Sequence, residues 1–232
     1  MSRRIIRRCL LCLWLVTAGA PSASTVQAAT YTLLARSGEA PVTLSLTPQQ
    51  RHWLKGRQAL VLGTSAPDYP PFDITAGSRD YQGLTADYAG LIGAALGLPI
   101  KVERFASRQE AVEALIQGRI DLLGSANGFE AANEQVVLSR PYAIDQPVLV
   151  TREDEDRPLD MGLEGMRLSM LYHYLPLDEV HAAYPKATLL SYPSYQNALN
   201  AVAFDEADVF IGDTISTHYL INQGHLPNIK MA

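Results

Sequence analysis

The sequence predicts an α/β protein of two similar lobes, and three observations lead there. Apolar runs at helical and strand-like spacing alternate along 232 residues, 47% of them hydrophobic, which suffices for one sizeable core or two small ones. A twenty-residue segment recurs without a gap. SRQEAVEALIQGRIDLLGSA from Ser107 and SYQNALNAVAFDEADVFIGD from Ser194 share Ser107/Ser194, Gln109/Gln196, Ala111/Ala198, Ala114/Ala201 and Asp121/Asp208. Each copy reads as an N-cap serine, an amphipathic helix and a buried strand, so strand–helix–strand occurs twice, a unit that makes parallel pairs with right-handed crossovers. Chance likeness of two helix-then-strand units is the alternative. Third, strand-like runs end in loops rich in turn residues, where open α/β sheets place their ligands.

In chain order, the first 28 residues stand apart. Arg3, Arg4, Arg7 and Arg8 precede an uncharged run from Cys9 to Ala20 and a small-residue cleavage pattern at Val26-Gln27-Ala28. That is the pattern of a secretory signal; a single-pass anchor is the alternative, and SRRIIRR weakly resembles a twin-arginine export signal. Residues 29–58 form a mixed N-terminal segment. In LTPQQRHWLKG, Thr47 is a good N-cap, Pro48 suits the first helical position and Gln50 completes a capping box, so a short helix is predicted up to Gly56. The first lobe is placed at 59–150. It begins with a strand at Ala59–Gly63 and a stiff loop around Pro67, Pro70 and Pro71. A helix follows on Leu84, Tyr88, Leu91, Ile92, Ala95 and Leu96, stopped by Gly97 and Pro99, then a strand at Ile100–Phe105 and the first repeat copy.

Val136–Ser139 and Pro147–Thr151 read as extended, and the charged run REDEDRP, Arg152 to Pro158, as an exposed surface suited to a crossing between lobes. The second lobe, 151–228, is predicted to hold a strand at Met166–Leu171, a helix at Leu177–Ala183, a strand at Thr188–Tyr192, the second copy and a helix at Thr214–Asn222. Residues 229–232 read as the start of a crossing back to the first lobe.

Charge narrows the partners. Nineteen Lys and Arg against 24 Asp and Glu give −5, and taking away the four leader arginines leaves 15 against 24, or −9. An acidic exported domain is a poor match for nucleic acid or anionic membrane, which leaves small solutes or other proteins. Both cysteines, Cys9 and Cys12, lie in the leader, so a disulfide, a zinc cluster or a thiol nucleophile is not expected in the mature protein. His52, His173, His181, His218 and His225 form no metal-ligand spacing. No metal and no cofactor are expected.

The strand ends nominate a site. Thr64–Phe72 follows the first strand, Ser125–Phe129 the first repeat strand and Gly212–Thr214 the second; facing lobes would set Ser125 and Asn127 against Asp213. Tyr69 and Phe72 flank the proline pair as pocket walls or as aromatics folded back into a core. Asp121 and Asp208 begin their strands and read as structural turn residues. Asp68, Asp73 and Asp213 are carboxylates suited to acid–base work, although carboxylates at a solute cleft more often bind than catalyse. Ser65 lacks the G-x-S-x-G setting of a nucleophile.

The ordered motifs LVLGTSAPDYPPFDI, GLTADYAGLIGAALGL, QGRIDLLGSA, LSRPY and ADVFIGD resemble the family 3 solute-binding proteins, from about Ala59 to the end. The resemblance implies a periplasmic-binding-protein fold of type II, a Venus flytrap whose two lobes close on a small solute, without catalytic residues. LTPQQRHWLKG and the run from ALNAV to NIKMA are more similar to the sensing domains of unorthodox sensor histidine kinases of the Bvg/Evg type than to free transport receptors. It therefore implies a periplasmic input domain, or a fragment of one, with a homodimer formed through a parent kinase. A transport receptor is the alternative, and a dehydratase or lytic enzyme on the same fold the remote one.

Residue by residue, Tyr69 matches the aromatic that covers the ligand, Ser125 a strand-end hydrogen-bonding position and Asp213 the carboxylate that receives an ammonium group. Phe72, Ala126, Asn127 and Tyr172 complete the expected ligand-binding set. Two departures stand out. The arginine expected near Ala132 or Asn133 for an α-carboxylate is missing, with Arg140 the nearest substitute, and the small turn expected at Tyr172–Leu175 is the bulky YHYL. An unpaired carboxylate in a closed cleft costs several kcal/mol, so ordinary α-amino acids are expected to bind weakly or not at all. A cationic or uncharged solute, or an empty cleft, fits better. The family's chain finishes in the first lobe, so a C-terminal truncation is also expected.

Overall fold

The repeated segment folds the same way twice, in two different sheets. The structure is a computed structural model that describes residues 28–36, 42–144, 146–159, 162–224 and 226–232, so the expected leader lies outside the described residues except for Ala28. One sheet holds β1 (Ala29–Leu33), β2 (Leu60–Ser65), β3 (Asp80–Tyr81), β4 (Ile100–Phe105) and β5 (Leu122–Leu123), in the order β3-β1-β4-β2-β5. The other holds β6 (Pro147–Arg152), β7 (Arg167–Leu171), β8 (Thr188–Tyr192), β9 (Val209–Asp213) and β10 (Ile229–Met231), in the order β10-β6-β9-β7-β8. The helices are α1 (Pro48–Lys55), α2 (Leu84–Leu96), α3 (Arg108–Ile116), α4 (Gly128–Ala131), α5 (Leu177–Ala183), α6 (Tyr195–Ala203) and α7 (Thr214–Gly224). Within each sheet one parallel trio repeats, β4-β2-β5 and β8-β7-β9.

Local chemistry sets these units. The Ser107 hydroxyl accepts the Glu110 N–H at 3.2 Å and the Ser194 hydroxyl accepts the Asn197 N–H at 3.0 Å, so both repeat helices start on the same cap. Asp121 accepts the Val61 N–H at 2.9 Å, and Asp208 accepts the Arg167 N–H at 2.7 Å. Each thus ties its own strand to the central strand beside it, a structural role. Gly212 is needed inside β9, because a Cβ there would sit 2.2 Å from the Tyr195 hydroxyl. The second lobe packs as one buried cluster around Met166, Met170, Leu199 and Phe210, whereas the first divides into one cluster on Leu62, Tyr81 and Val102 and another on Phe105 and Ile120.

Three expectations change. Residues 29–58 are not a separate segment, since β1 pairs antiparallel with β4 and parallel with β3. Pro147–Thr151, read as extended alongside Val136–Ser139, is part of a paired strand, whereas Val136–Ser139 runs outside both sheets. The sheets divide before β6 rather than at 150/151, because β9 has an open edge that β6 fills antiparallel from Pro147↔Asp213 to Thr151↔Val209. The crossing therefore precedes Pro147, and Arg152–Pro158 caps the far end of β6 instead. There Arg157 holds Glu155 at 2.6 Å and Asp208 at 2.9 Å, and its hydrogen bonds pull the Glu155 carboxyl down to about 2. β10 runs along β6 in the second sheet.

Candidate functional site

The loop after β2 is rigid for reasons its residues make plain. The Tyr69 N–H donates to the Asp73 carbonyl at 2.9 Å, and Asp68 accepts the Thr75 N–H at 2.7 Å while pairing with Arg104 at 2.7 Å. On this frame Phe72 stacks against Tyr69 with ring centroids 5.5 Å apart. The Tyr69 hydroxyl reaches out of the first lobe and donates to Oδ2 of Asp213, at the end of β9 in the second lobe, at 2.5 Å. The other oxygen, Oδ1, accepts the Ser216 N–H at 2.6 Å and so caps the first turn of α7. Burial, then the charge of Asp213, pushes the Tyr69 phenol well above its ordinary value, which keeps it a donor.

Beneath Tyr69, each lobe presents a different floor. In the second lobe Tyr195, 1% exposed, donates to the Asp213 carbonyl at 2.8 Å and shares a 2.7 Å hydrogen bond with Thr217. In the first lobe Asp73 is buried and bonded to the hydroxyls of Tyr81 and Ser125. Burial raises the Asp73 carboxyl from its ordinary value, and hydrogen bonds from Ser125 and Tyr81 and the charge of Arg108 oppose that rise. Arg108, 3% exposed, pairs with the 1% exposed Glu130 at 2.6 Å. The lobes also meet where Asn127 Nδ2 donates to the His173 carbonyl at 3.4 Å. Burial, then Arg108, pulls the His173 imidazole down to about 3, and its ring is walled by Tyr69, Phe129 and Tyr172.

A cavity of about 550 Å³ runs from this cleft along the outer edge of β5, which has no strand partner among the described residues. Of the residues nominated from sequence, Tyr69, Phe72, Ser125, Ala126, Asn127 and Asp213 line it. Tyr172 does not. Its N–H still pairs with the Tyr192 carbonyl at 3.0 Å and its ring packs on His173, so Tyr174 takes the lining position. Ser125 lines the wall, but its hydroxyl is held by Asp73 and does not confront Asp213. Arg140 is exposed and off the lining, so it does not replace the missing guanidinium. Asp68, Asp73 and Asp213 are each held by their own partners, Arg104 and Thr75, Tyr81 and Ser125, and Tyr69 and the Ser216 N–H.

Arg108, Asp73, Tyr142, His173 and Tyr195 were not nominated as binding residues. The repeat held one signal for two of them, since Arg108 and Tyr195 are its matching positions directly after the cap serine. Tyr142 closes the first lobe's side, its hydroxyl 2.9 Å from that of Thr85 and accepting the Ser125 N–H at 3.1 Å.

Comparison with known proteins places this geometry. Residues 60–219 match the family described as bacterial extracellular solute-binding proteins, family 3. The virulence sensor protein BvgS of Bordetella parapertussis is 40% identical over 98% of this chain and 19% of its own length. The crystal structure of the B. pertussis BvgS periplasmic domain superposes with a TM-score of 0.74 at 40% identity, covering 87% of this chain and 39% of that one. The BvgS periplasmic VFT2 domain of B. pertussis shares the fold at 22% identity, with a TM-score of 0.71 over 83% of this chain and 80% of that one. The chain thus spans about a fifth of the length of the curated relative, and its fold is that of a two-lobed Venus flytrap.

Proposed function

The chain belongs to the bacterial extracellular solute-binding proteins, family 3, and from that membership we propose that it is the periplasmic input domain of a sensor histidine kinase, closed by its own Tyr69. The observation that supports this reading is the 2.5 Å bond from Tyr69 to Asp213 across the lobes. Asp213 is the carboxylate a solute's ammonium group would need, and both its oxygens already have donors. A hydrogen bond to a charged group contributes about 1.5–3 kcal/mol, and an incoming cation has to displace it. Among the described residues no guanidinium lines the cavity, so an α-carboxylate would go unpaired, at several kcal/mol.

Closure is then an equilibrium set by lobe-to-lobe bonds, and a signal is whatever favours the open or the closed form. The arginine-rich leader, residues 1–28, delivers the domain to the periplasm. Catalysis forms no part of this reading, since the three candidate carboxylates are each committed to structural bonds. One observation favours a second reading, capture of a small uncharged or cationic solute: the cavity falls in the size range of small-molecule sites and Leu122, Leu123 and Val136 give it apolar walls.

Calorimetry with the common α-amino acids and with agmatine, a cationic solute, distinguishes these readings, since binding of agmatine by the wild type would support solute capture. Self-closure predicts no saturable heat for the wild-type chain, and gain of binding to a cationic solute such as agmatine in Tyr69→Phe, where Asp213 is released. Micromolar binding of a common amino acid by the wild type contradicts self-closure and supports a transport receptor.

A further inference from the structure

Asn127 is followed directly by a glycine, and the pair lies where the two lobes meet. Both residues line the cavity, so water reaches them. Asn127 is tied on every side: Oδ1 accepts the Phe129 N–H at 2.8 Å, its own N–H donates to Oε2 of Glu130 at 2.8 Å, and Nδ2 donates to the His173 carbonyl of the second lobe at 3.4 Å. The Gly128 N–H, by contrast, donates no hydrogen bond among the described residues. A Cβ built on Gly128 would meet only Leu175 Cδ2, at 3.9 Å, so the space beside it is open.

This pair can react with itself. When the Gly128 nitrogen attacks Cγ of Asn127, its proton passes to a solvent base, the Cγ–Nδ2 bond breaks and ammonia leaves, closing a succinimide ring. Water then opens the ring at one carbonyl or the other, leaving aspartate or isoaspartate at position 127. The sum is asparagine and water in, acid and ammonia out. Glycine favours attack because no side chain crowds its nitrogen. Attack also requires Cγ to turn toward that nitrogen, and both side-chain hydrogen bonds of Asn127 oppose the turn. One of the two, from Nδ2 to His173, exists only while the lobes are closed.

We propose that Asn127 and Gly128 form a self-modification site that cleft opening exposes, and that the product holds the cleft open. The proposal rests on closure by Tyr69. Aspartate at position 127 can still accept the Phe129 N–H, so the cap survives. The bridge to the second lobe does not, because a carboxylate oxygen then faces the His173 carbonyl where an amide donor stood, with the Glu130 carboxylate beside it. Isoaspartate in addition lengthens the backbone just before α4. Opening of the cleft thereby leaves a lasting covalent record.

Peptide mapping by mass spectrometry, after incubation of the whole chain at mildly alkaline pH, reads the site. Tyr69→Phe is expected to convert Asn127 at least about tenfold faster than the wild type, because losing a hydrogen bond to a charged group raises the open fraction by that factor or more. Gly128→Ala, for whose methyl there is room, is expected to suppress conversion in the Tyr69→Phe background. Asn127→Asp, which carries the product, is expected to give longer spin-label distances across the cleft than the wild type. An Asn127 that stays intact in Tyr69→Phe overturns the proposal and leaves closure by Tyr69 standing. Equal conversion in the wild type and Tyr69→Phe overturns it by removing that closure. An Asn127→Asp chain as closed as the wild type overturns it as well.

Discussion

Arg108 and Tyr195 hold the same place in the two copies of the repeat, the residue after the cap serine, and they do different work. Tyr195 sits in a single apolar core and spends only one neutral hydroxyl on the end of β9. Arg108 lies under a polar floor with Glu130 and Asp73, in a lobe whose core is split in two. The second lobe thus behaves as a packed platform that offers Asp213. The first carries buried charge and delivers Tyr69 to it. Similar folding units support different energetics, and closure of the cleft joins them.

Breaking the charged side of this comparison has the largest expected effect. Arg108→Met leaves Glu130 buried and unpaired, and unfolding by denaturant is expected to show a loss of about 3–5 kcal/mol. Tyr195→Phe, the matching change in the other lobe, removes one hydroxyl and is expected to cost about 1–3 kcal/mol. Equal losses from the two would remove the contrast.

Acid sharpens it next. The His173 imidazole titrates at about 3 in the folded chain and near 6.5 when free. Its folded value is depressed, so its stabilising contribution is present in full above pH 6.5 and is lost as pH falls toward 3. At pH 4.5, two units below the free value, the loss is about 3 kcal/mol, from roughly 1.4 kcal/mol per pH unit. Asp73, raised by burial, acts in the opposite sense. The stability difference between wild type and His173→Asn therefore isolates the imidazole, and it is expected to shrink from pH 7 to pH 4.5. A difference independent of pH would remove His173 from the closed interface.

The smallest effect is the symmetric one. Ser107→Ala and Ser194→Ala remove equivalent caps and are each expected to lower stability by about 1 kcal/mol. A loss confined to one lobe would show that the repeat is equivalent in shape only.

The parts that were legible in the sequence are those governed by local rules. The repeat, its caps, its strands and the Asp121 and Asp208 ties follow from spacing and residue type. Tyr69, Phe72, Ser125, Ala126, Asn127 and Asp213 were expected at the cleft because sheet ligand sites lie at strand ends, and all six line the cavity. What stayed hidden depends on long-range pairing. β1 joins its sheet through residues far along the chain, β6 moves to the second sheet because β9 needs an edge partner, and the half-buried Ser125 turns its hydroxyl to the buried Asp73. Nothing in YHYL alone distinguishes Tyr172 from Tyr174, since the register with β8 decides which ring faces the cavity.

Closure without solute is tested most directly by a distance across the cleft. With Cys9 and Cys12 replaced by serine, nitroxides on Glu134→Cys and Glu179→Cys, exposed residues of the first and second lobes, allow double electron–electron resonance. The solute-free wild type is expected to give one short distance, and Tyr69→Phe is expected to add a longer population. A wild type already spread over long distances, unchanged by loss of the Tyr69 hydroxyl, would contradict a cleft held shut by its own tyrosine.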